Sequence, residues 1–149
     1  MKYFIYYSAT GNGDFIAEKL KEKGYETIKI ETIKPLGKMN FFRILKYGFQ
    51  AMKNKKAKIK DFYLDMQEDD IIVIGSPIWN DRLSTPINAV LDKINFDKEM
   101  TKFILYPAGE GTNKSFEQLE KLGFKQKPLV YSNPLKNPDK VTDIVDELF

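Results

Sequence analysis

The chain has 149 residues, 42% of them hydrophobic, which is enough for one domain with a substantial core. It contains no cysteine and no histidine, which excludes disulfides, thiol catalysis, a cysteine-held iron–sulfur cluster and the usual zinc or serine–histidine chemistry. The net charge of +3 conceals a basic segment at residues 34–60, with nine lysines and arginines and no acid, whereas the other residues carry 15 bases against 21 acids.

The first half of the chain alternates between strand-like and helix-like patterns. Residues 3–7 form a short apolar run before a glycine-rich turn, which predicts a strand buried on both faces. Apolar residues at helical spacing follow over 12–23, and Gly24 is expected to end that helix. Residues 26–30 predict a second strand, and 39–52 a second helix with an apolar stripe.

The second half repeats this alternation three times. The strands are predicted at residues 71–75, 103–106 and 129–131. The helices are predicted after Thr85–Pro86, between Ser115 and Gly123, and after Asn137–Pro138. Because no repeat, low-complexity tract or linker divides the chain, residues 1–149 are expected to form a single domain.

Five strands, each followed by a helix, predict an α/β fold with a doubly wound, five-stranded parallel sheet. Parallel strands need crossover connections, and the helices that make them cover both faces of the sheet. Five units are too few to close an eight-stranded barrel. In a doubly wound sheet, ligands bind beyond the carboxyl ends of the strands, so the turns after strands one, three and four become the candidate site.

The turn after the first strand runs directly into a helix. It consists of Ser8, Ala9, Thr10, Gly11, Asn12 and Gly13. Successive backbone N–H groups and the helix N-terminus can surround a phosphate there, with hydroxyl groups as further donors. The turn has no lysine, so it is not the usual loop of a nucleoside triphosphatase. A tight turn with no ligand is the alternative.

The turn after the third strand contains the only tryptophan of the chain. Its candidate ligand-binding residues are Pro77, Ile78, Trp79 and Asn80. A planar indole beyond a strand end can stack on an aromatic ligand ring, and asparagine tolerates the left-handed backbone of a turn. A tryptophan that covers the core is the alternative.

The turn after the fourth strand places two glycines around an acid. Its candidate residues are Ala108, Gly109, Glu110 and Gly111. Glycines allow the backbone to approach a flat ring closely, and exposed N–H groups there can bind the polar edge of such a ring. The turn is a weak motif by itself.

Together, Ser-x-Thr-Gly-Asn after the first strand, Gly-Ser-Pro-Ile-Trp after the third and a glycine-rich turn after the fourth resemble the flavodoxin family over the whole chain. The resemblance implies strand order 2-1-3-4-5 and non-covalently bound FMN. It implies that the FMN phosphate lies in the Ser8–Gly13 turn and that the ring lies between Trp79 and Gly109. The chain departs from the family at Gly13, where many members have a threonine.

The resemblance implies an electron carrier that exchanges electrons with redox partner proteins, with no catalytic residue and no metal. The alternative is an FMN-dependent NAD(P)H oxidoreductase that acts on quinones or other small molecules, and a flavin-free interaction module is a third class. A receiver domain is disfavoured because Asp69 and Asp70 precede the third strand. A dinucleotide-binding fold is disfavoured because Ile16 replaces its third glycine.

The basic segment at residues 34–60 is expected to pack an apolar stripe on the sheet while its lysines are solvated. Docking of an acidic partner protein is the next expectation, ahead of a membrane surface or a nucleic acid. No run approaches the roughly 20 apolar residues of a transmembrane helix. A cytoplasmic location without nucleic acid binding is expected.

Overall fold

A parallel sheet at the centre of the protein has the predicted strand order. The structure, a computed structural model, describes residues 1–34, 55–109, 111–141 and 143–148. Within them the strands are β1 (Lys2–Tyr6), β2 (Glu26–Lys29), β3 (Ile71–Trp79), β4 (Arg82–Leu83), β5 (Lys102–Tyr106) and β6 (Leu129–Val130). The order β2-β1-β3-β5-β6 is parallel throughout and equals the expected 2-1-3-4-5, with the short β4 added antiparallel to β3.

Helices cover both faces of this sheet. They are α1 (Asn12–Glu22), α2 (Thr85–Lys93), α3 (Asn113–Lys121) and α4 (Ile144–Leu148), with a 3-10 turn at Pro138–Val141 before the last. The helix predicted after Asn137–Pro138 is therefore split into these two short pieces. The α/β, doubly wound fold expected from the sequence is confirmed.

The strands send alternate side chains into two separate cores, because successive residues of a strand point to opposite faces. On β1, Phe4 and Tyr6 pack with α1 and α4, whereas Tyr3 and Ile5 join the apolar cluster under α2 and α3. Ile5 and Phe4 are fully buried. Two covered faces explain why β1 and β3 are apolar without polar alternation.

The described residues of the basic segment contact both the chain that follows β2 and the helix α2. Thr32 forms an antiparallel bridge with Ile59. Lys56 and Lys60 form ion pairs with Asp92 and Glu31, at 2.6 Å and 3.3 Å. The helix predicted over 39–52 lies outside the described residues. The expected acidic partner of this segment stays a prediction.

The helices in the described part of the chain are also too short or too polar to cross a bilayer. This finding concerns α1 to α4, of which the longest has 11 residues.

Candidate functional site

The first candidate loop connects β1 to α1 and leaves a helix N-terminus open. Gly11, at the N-cap, has a φ of 94°, a left-handed conformation that glycine adopts without strain, and it makes no side-chain cap. Asn12 and Gly13, the first residues of α1, have N–H groups without partners inside the helix. These donors lie where the positive end of the helix dipole favours an anion.

Ser8 holds this loop in place and keeps a donor available. Its hydroxyl oxygen accepts the N–H of Asp14 at 3.2 Å, and its hydroxyl hydrogen is free to point elsewhere, since a hydroxyl both donates and accepts. Asp14 itself is drawn away from the loop: its carboxylate accepts the Tyr6 hydroxyl at 3.1 Å and pairs with Lys29 at 2.8 Å. The Asp14 carboxylate next to the loop is thus partly neutralised by Lys29. Thr10 is exposed on the loop.

Gly13 lies where the sheet approaches the loop most closely. A Cβ at this position would lie 2.7 Å from the hydroxyl oxygen of Tyr106, 2.8 Å from the carbonyl oxygen of Tyr7 and 2.9 Å from the Cβ of Ser8. Tyr106, fully buried on β5, donates its hydroxyl to that same carbonyl oxygen. The hydroxyl therefore fills the space that a threonine at position 13 would need, which explains the departure from the flavodoxin pattern.

Burial raises the pKa of Tyr106 well above its ordinary value of 10.0, and the nearby Tyr6 and Asp14 raise it further. The ionised form would be poorly solvated there, so the hydroxyl remains a donor across the physiological range. The carbonyl oxygen of Tyr7 thus accepts a hydrogen bond from a buried side chain, at the point where the chain leaves the sheet and enters the loop.

A loop that the sequence did not indicate as part of the site also contacts the first loop. The side-chain oxygen of Asn12 accepts the N–H of Leu135 at 3.2 Å, and Leu135 Cδ2 lies 3.2 Å from the position of a Cβ on Gly11. Leu135 is 51% exposed beside the glycine. The Asn133–Pro134 pair, a turn signal that begins three residues after the end of β6, could have pointed to this loop.

The second candidate segment is not the open turn that was expected. β3 continues through Pro77 and Ile78 to Trp79, and the chain reverses at Asn80 and Asp81. Both turn residues have left-handed φ values, 49° and 61°, which is the pattern of a two-residue type I′ hairpin. The turn predicted at 76–81 was wrong for residues 76–79. Residues 76 and 77 pair with β5 and residues 78 and 79 pair with β4, which extends the strand by four residues.

Trp79 is buried rather than presented on a loop. It is 9% exposed, and its ring meets the Tyr7 ring edge-to-face, with centroids 5.8 Å apart and an angle of 87°. Ile78 is 3% exposed in the same apolar cluster. The contact of Tyr7 with Trp79 joins the ends of β1 and β3, so Trp79 packs against the residue that precedes the first loop. Its role as a stacking partner for a ligand ring stays a prediction.

The third candidate turn is the most open of the three. Ala108 and Gly109 are exposed, and a Cβ on Gly109 would meet no atom within 4 Å. Gly109 has a φ of 114°, a conformation that glycine adopts without strain. Glu110 lies outside the described residues, and Gly111 is exposed. This open space beside an exposed backbone is what the edge of a flat ring would require.

Asp81 connects the second turn to the third. Its carboxylate oxygen accepts the N–H of Lys114 at 3.3 Å, in the first turn of α3. Thr112, the N-cap of that helix, makes no side-chain cap, so Asp81 supplies one from another element. The same carboxylate lies 3.8 Å from the position of a Cβ on Gly111. The structure therefore brings all three predicted segments to one edge of the sheet.

The residues at this edge fit a flavin mononucleotide. The open N-terminus of α1, with Ser8 and Thr10, offers donors to a phosphate, and the uncrowded backbone at Gly109 offers room for a ring. The site residues predicted from sequence all lie at this edge where they are described, although Ile78 and Trp79 have buried side chains.

Comparison with known proteins agrees with this geometry. Residues 7–123 match the model of a family described as NADPH-dependent FMN reductase. No curated protein sequence matches the chain.

Solved structures share the fold. A flavoprotein from Lactobacillus acidophilus NCFM, crystallised in complex with FMN, is 22% identical, with 93% of this chain and 96% of that chain covered and a TM-score of 0.70. The apo form of the flavoprotein from that organism, determined by NMR, is 20% identical over 91% and 94% of the chains, at a TM-score of 0.59. A protein provisionally assigned as a flavoprotein from Bacteroides eggerthii DSM 20697 is 20% identical over 99% and 96%, at 0.66.

Proposed function

Because the chain belongs to the NADPH-dependent FMN reductase family, we propose that it is an FMN-dependent oxidoreductase that takes electrons directly from a nicotinamide nucleotide. One observation carries this proposal: the matched residues, 7–123, include all three segments at the carboxyl edge of the sheet. FMN is the cofactor that the family assigns, and the similar Lactobacillus acidophilus protein was solved with it. An electron carrier, the first expectation from sequence, has no specific support from the family.

The first loop would hold the FMN phosphate. The N–H groups of Asn12 and Gly13 and the hydroxyl groups of Ser8 and Thr10 are the donors, and the dipole of α1 adds a favourable field. Charge-assisted hydrogen bonds of this kind each contribute about 1.5–3 kcal/mol. We expect Gly13 to contribute only its backbone, since Tyr106 fills the space of a side chain.

The second and third segments would hold the flavin ring. Bound FMN supplies the redox chemistry, because its ring accepts and passes on electrons while the protein sets orientation and electrostatics. The exposed backbone at Gly109 is open to the ring edge. Asp81 places a negative charge at this edge, which disfavours the build-up of further negative charge there. Trp79 and Tyr7 pack against each other beside this edge, and we expect them to lie next to the bound ring.

The proposal is tested by mixing FMN-loaded protein anaerobically with NADPH or NADH and following the visible flavin absorbance. A reductase bleaches without any other protein, whereas a carrier needs a separate reductase. We expect direct bleaching. Protein that retains FMN but is bleached by neither nucleotide, and is bleached once an NADPH-dependent flavodoxin reductase is added, would establish the carrier instead.

A further inference from the structure

A groove outside the flavin edge collects basic side chains. It lies between α2 and α3, has a volume of about 300 Å³, and none of its lining residues belongs to the three predicted segments. Its charged lining consists of Lys56, Arg82, Lys114, Lys121, Asp92 and Glu117. Four bases against two acids give this lining a net charge of two positive units, which complements a dianion.

Arg82 is the residue of the groove lining whose side chain has an unsatisfied nitrogen. Its Nη1 atom is buried and has no hydrogen-bond partner among the described residues. A buried guanidinium nitrogen without a partner is costly, because the lost hydration is not replaced. Lys56 is already paired with Asp92 at 2.6 Å, so Arg82, Lys114 and Lys121 are the bases left to face Glu117.

The floor of the groove is fixed by a chain of amide groups. Gln118 accepts the N–H of Leu83 at 3.2 Å through its oxygen and donates to the side-chain oxygen of Asn88 at 2.9 Å. Asn88, which is 6% exposed, donates in turn to the carbonyl oxygen of Lys55 at 3.0 Å. Both amides are engaged with each other and with backbone groups, so they add no charge to the groove beside Arg82. The antiparallel pair with Trp79 fixes its backbone as well.

We propose that this groove is a second ligand site, which binds a phosphate monoester dianion through Arg82, Lys114 and Lys121. The planar guanidinium matches two phosphate oxygens, and the lysines add point charges. Two sources carry this chemistry: the 2′-phosphate of a pyridine nucleotide and a free organic phosphate. Binding at this site is separate from FMN binding, since the FMN phosphate belongs to the first loop.

Isothermal titration of the full chain at low salt and saturating FMN tests the site, because FMN keeps the first loop filled. The probes are inorganic phosphate, 2′,5′-ADP and 5′-AMP. We expect saturable binding at one site per chain and a loss of about tenfold or more in Arg82→Gln. Arg82→Lys should also bind more weakly, since it keeps the charge but loses the planar fork. Lys125→Gln, which removes an exposed charge outside the groove, is the matched control.

The three probes distinguish the two possible sources of the bound phosphate group. Binding of 2′,5′-ADP at least tenfold tighter than 5′-AMP and phosphate supports the nucleotide's 2′-phosphate, and equal binding of all three supports a free phosphate ligand. No saturable binding of any probe, or wild-type affinity in Arg82→Gln, overturns the site. Should Arg82→Gln fail to fold, the double variant Lys114→Gln/Lys121→Gln replaces it, because both lysine side chains are exposed. Wild-type affinity of this double variant for the probes overturns the site. Calorimetry does not depend on flavin reduction, so these outcomes are independent of the proposed activity.

Discussion

The hydroxyl of Tyr106 on β5 donates to the carbonyl oxygen of Tyr7 and occupies the space beside Gly13 where a Cβ would lie. The buried Tyr106 side chain thus fixes the point at which the chain leaves the sheet and enters the first loop. It also restricts position 13 of that loop to glycine. It also connects two strands that β3 separates in the sheet.

Gly13→Ala is expected to destabilise the fold and weaken FMN binding. The new Cβ would meet Tyr106, Tyr7 and Ser8 at 2.7–2.9 Å, and overpacking of this kind costs about 1–3 kcal/mol. Urea denaturation and FMN titration measure the two effects. Gly111→Ala is the control for the stability measurement, since its nearest neighbour in another segment is 3.8 Å away. Equal unfolding free energies for the two variants would contradict this account of Gly13.

FMN is expected to bind much more tightly than riboflavin, because the phosphate should supply a large part of the affinity. Thr10→Ala should narrow this preference without changing stability, since Thr10 is exposed. Ser8→Ala should narrow it and also lower the unfolding free energy by about 0.5–2 kcal/mol, because Asp14 N–H loses its acceptor. Fluorescence titration with both flavins checks this. Equal affinities of the wild-type protein for FMN and riboflavin would show that the first loop does not bind the FMN phosphate.

Bound FMN should quench the emission of Trp79, the only tryptophan of the chain. Trp79→Phe should weaken FMN binding, because it alters the contact with Tyr7, the residue that leads into the first loop. Phenylalanine is the informative change: Trp79→Ala would cost about 3–5 kcal/mol of stability through the cavity alone. Full tryptophan emission at saturating FMN would place the ring elsewhere.

Stability should fall at alkaline pH, partly through Tyr106. Burial raises its folded-state pKa well above 10.0, so the unfolded chain loses the proton first. The contribution is fully present below about pH 10 and is lost as the pH rises through the folded-state pKa. Tyr106→Phe should reduce the slope of unfolding free energy against pH above about 10, as measured by urea denaturation.

Tyr6 and Tyr131, whose pKa values burial also raises, should preserve part of that slope. Tyr63→Phe is the control, since Tyr63 is 83% exposed. An unchanged slope in Tyr106→Phe would contradict the assignment.

Local patterns determined the architecture. The apolar runs at 3–7 and 71–75 and the helical spacing after Gly11 specify buried strands and a crossover helix, and crossover handedness leaves few ways to assemble them. The glycine-rich and hydroxyl-bearing turn at Ser8–Gly13 was visible for the same reason, since its composition is typical of a phosphate-binding turn before a helix. FMN as the cofactor was implied by the resemblance of the three turns to the flavodoxin family, and it agrees with the family match.

Only the tertiary structure decided the position of Trp79, the need for glycine at position 13 and the groove around Arg82. β3 extends to Trp79 because Ile78 pairs with Leu83 across the hairpin. Gly13 is confined by Tyr106, 93 residues away in the chain. Arg82, Lys114 and Lys121 line one groove only because the fold places α3 beside α2 and β4. Periodicity reports which face of an element is buried, whereas these features depend on which distant side chain fills the remaining space, and packing at interior density settles that choice.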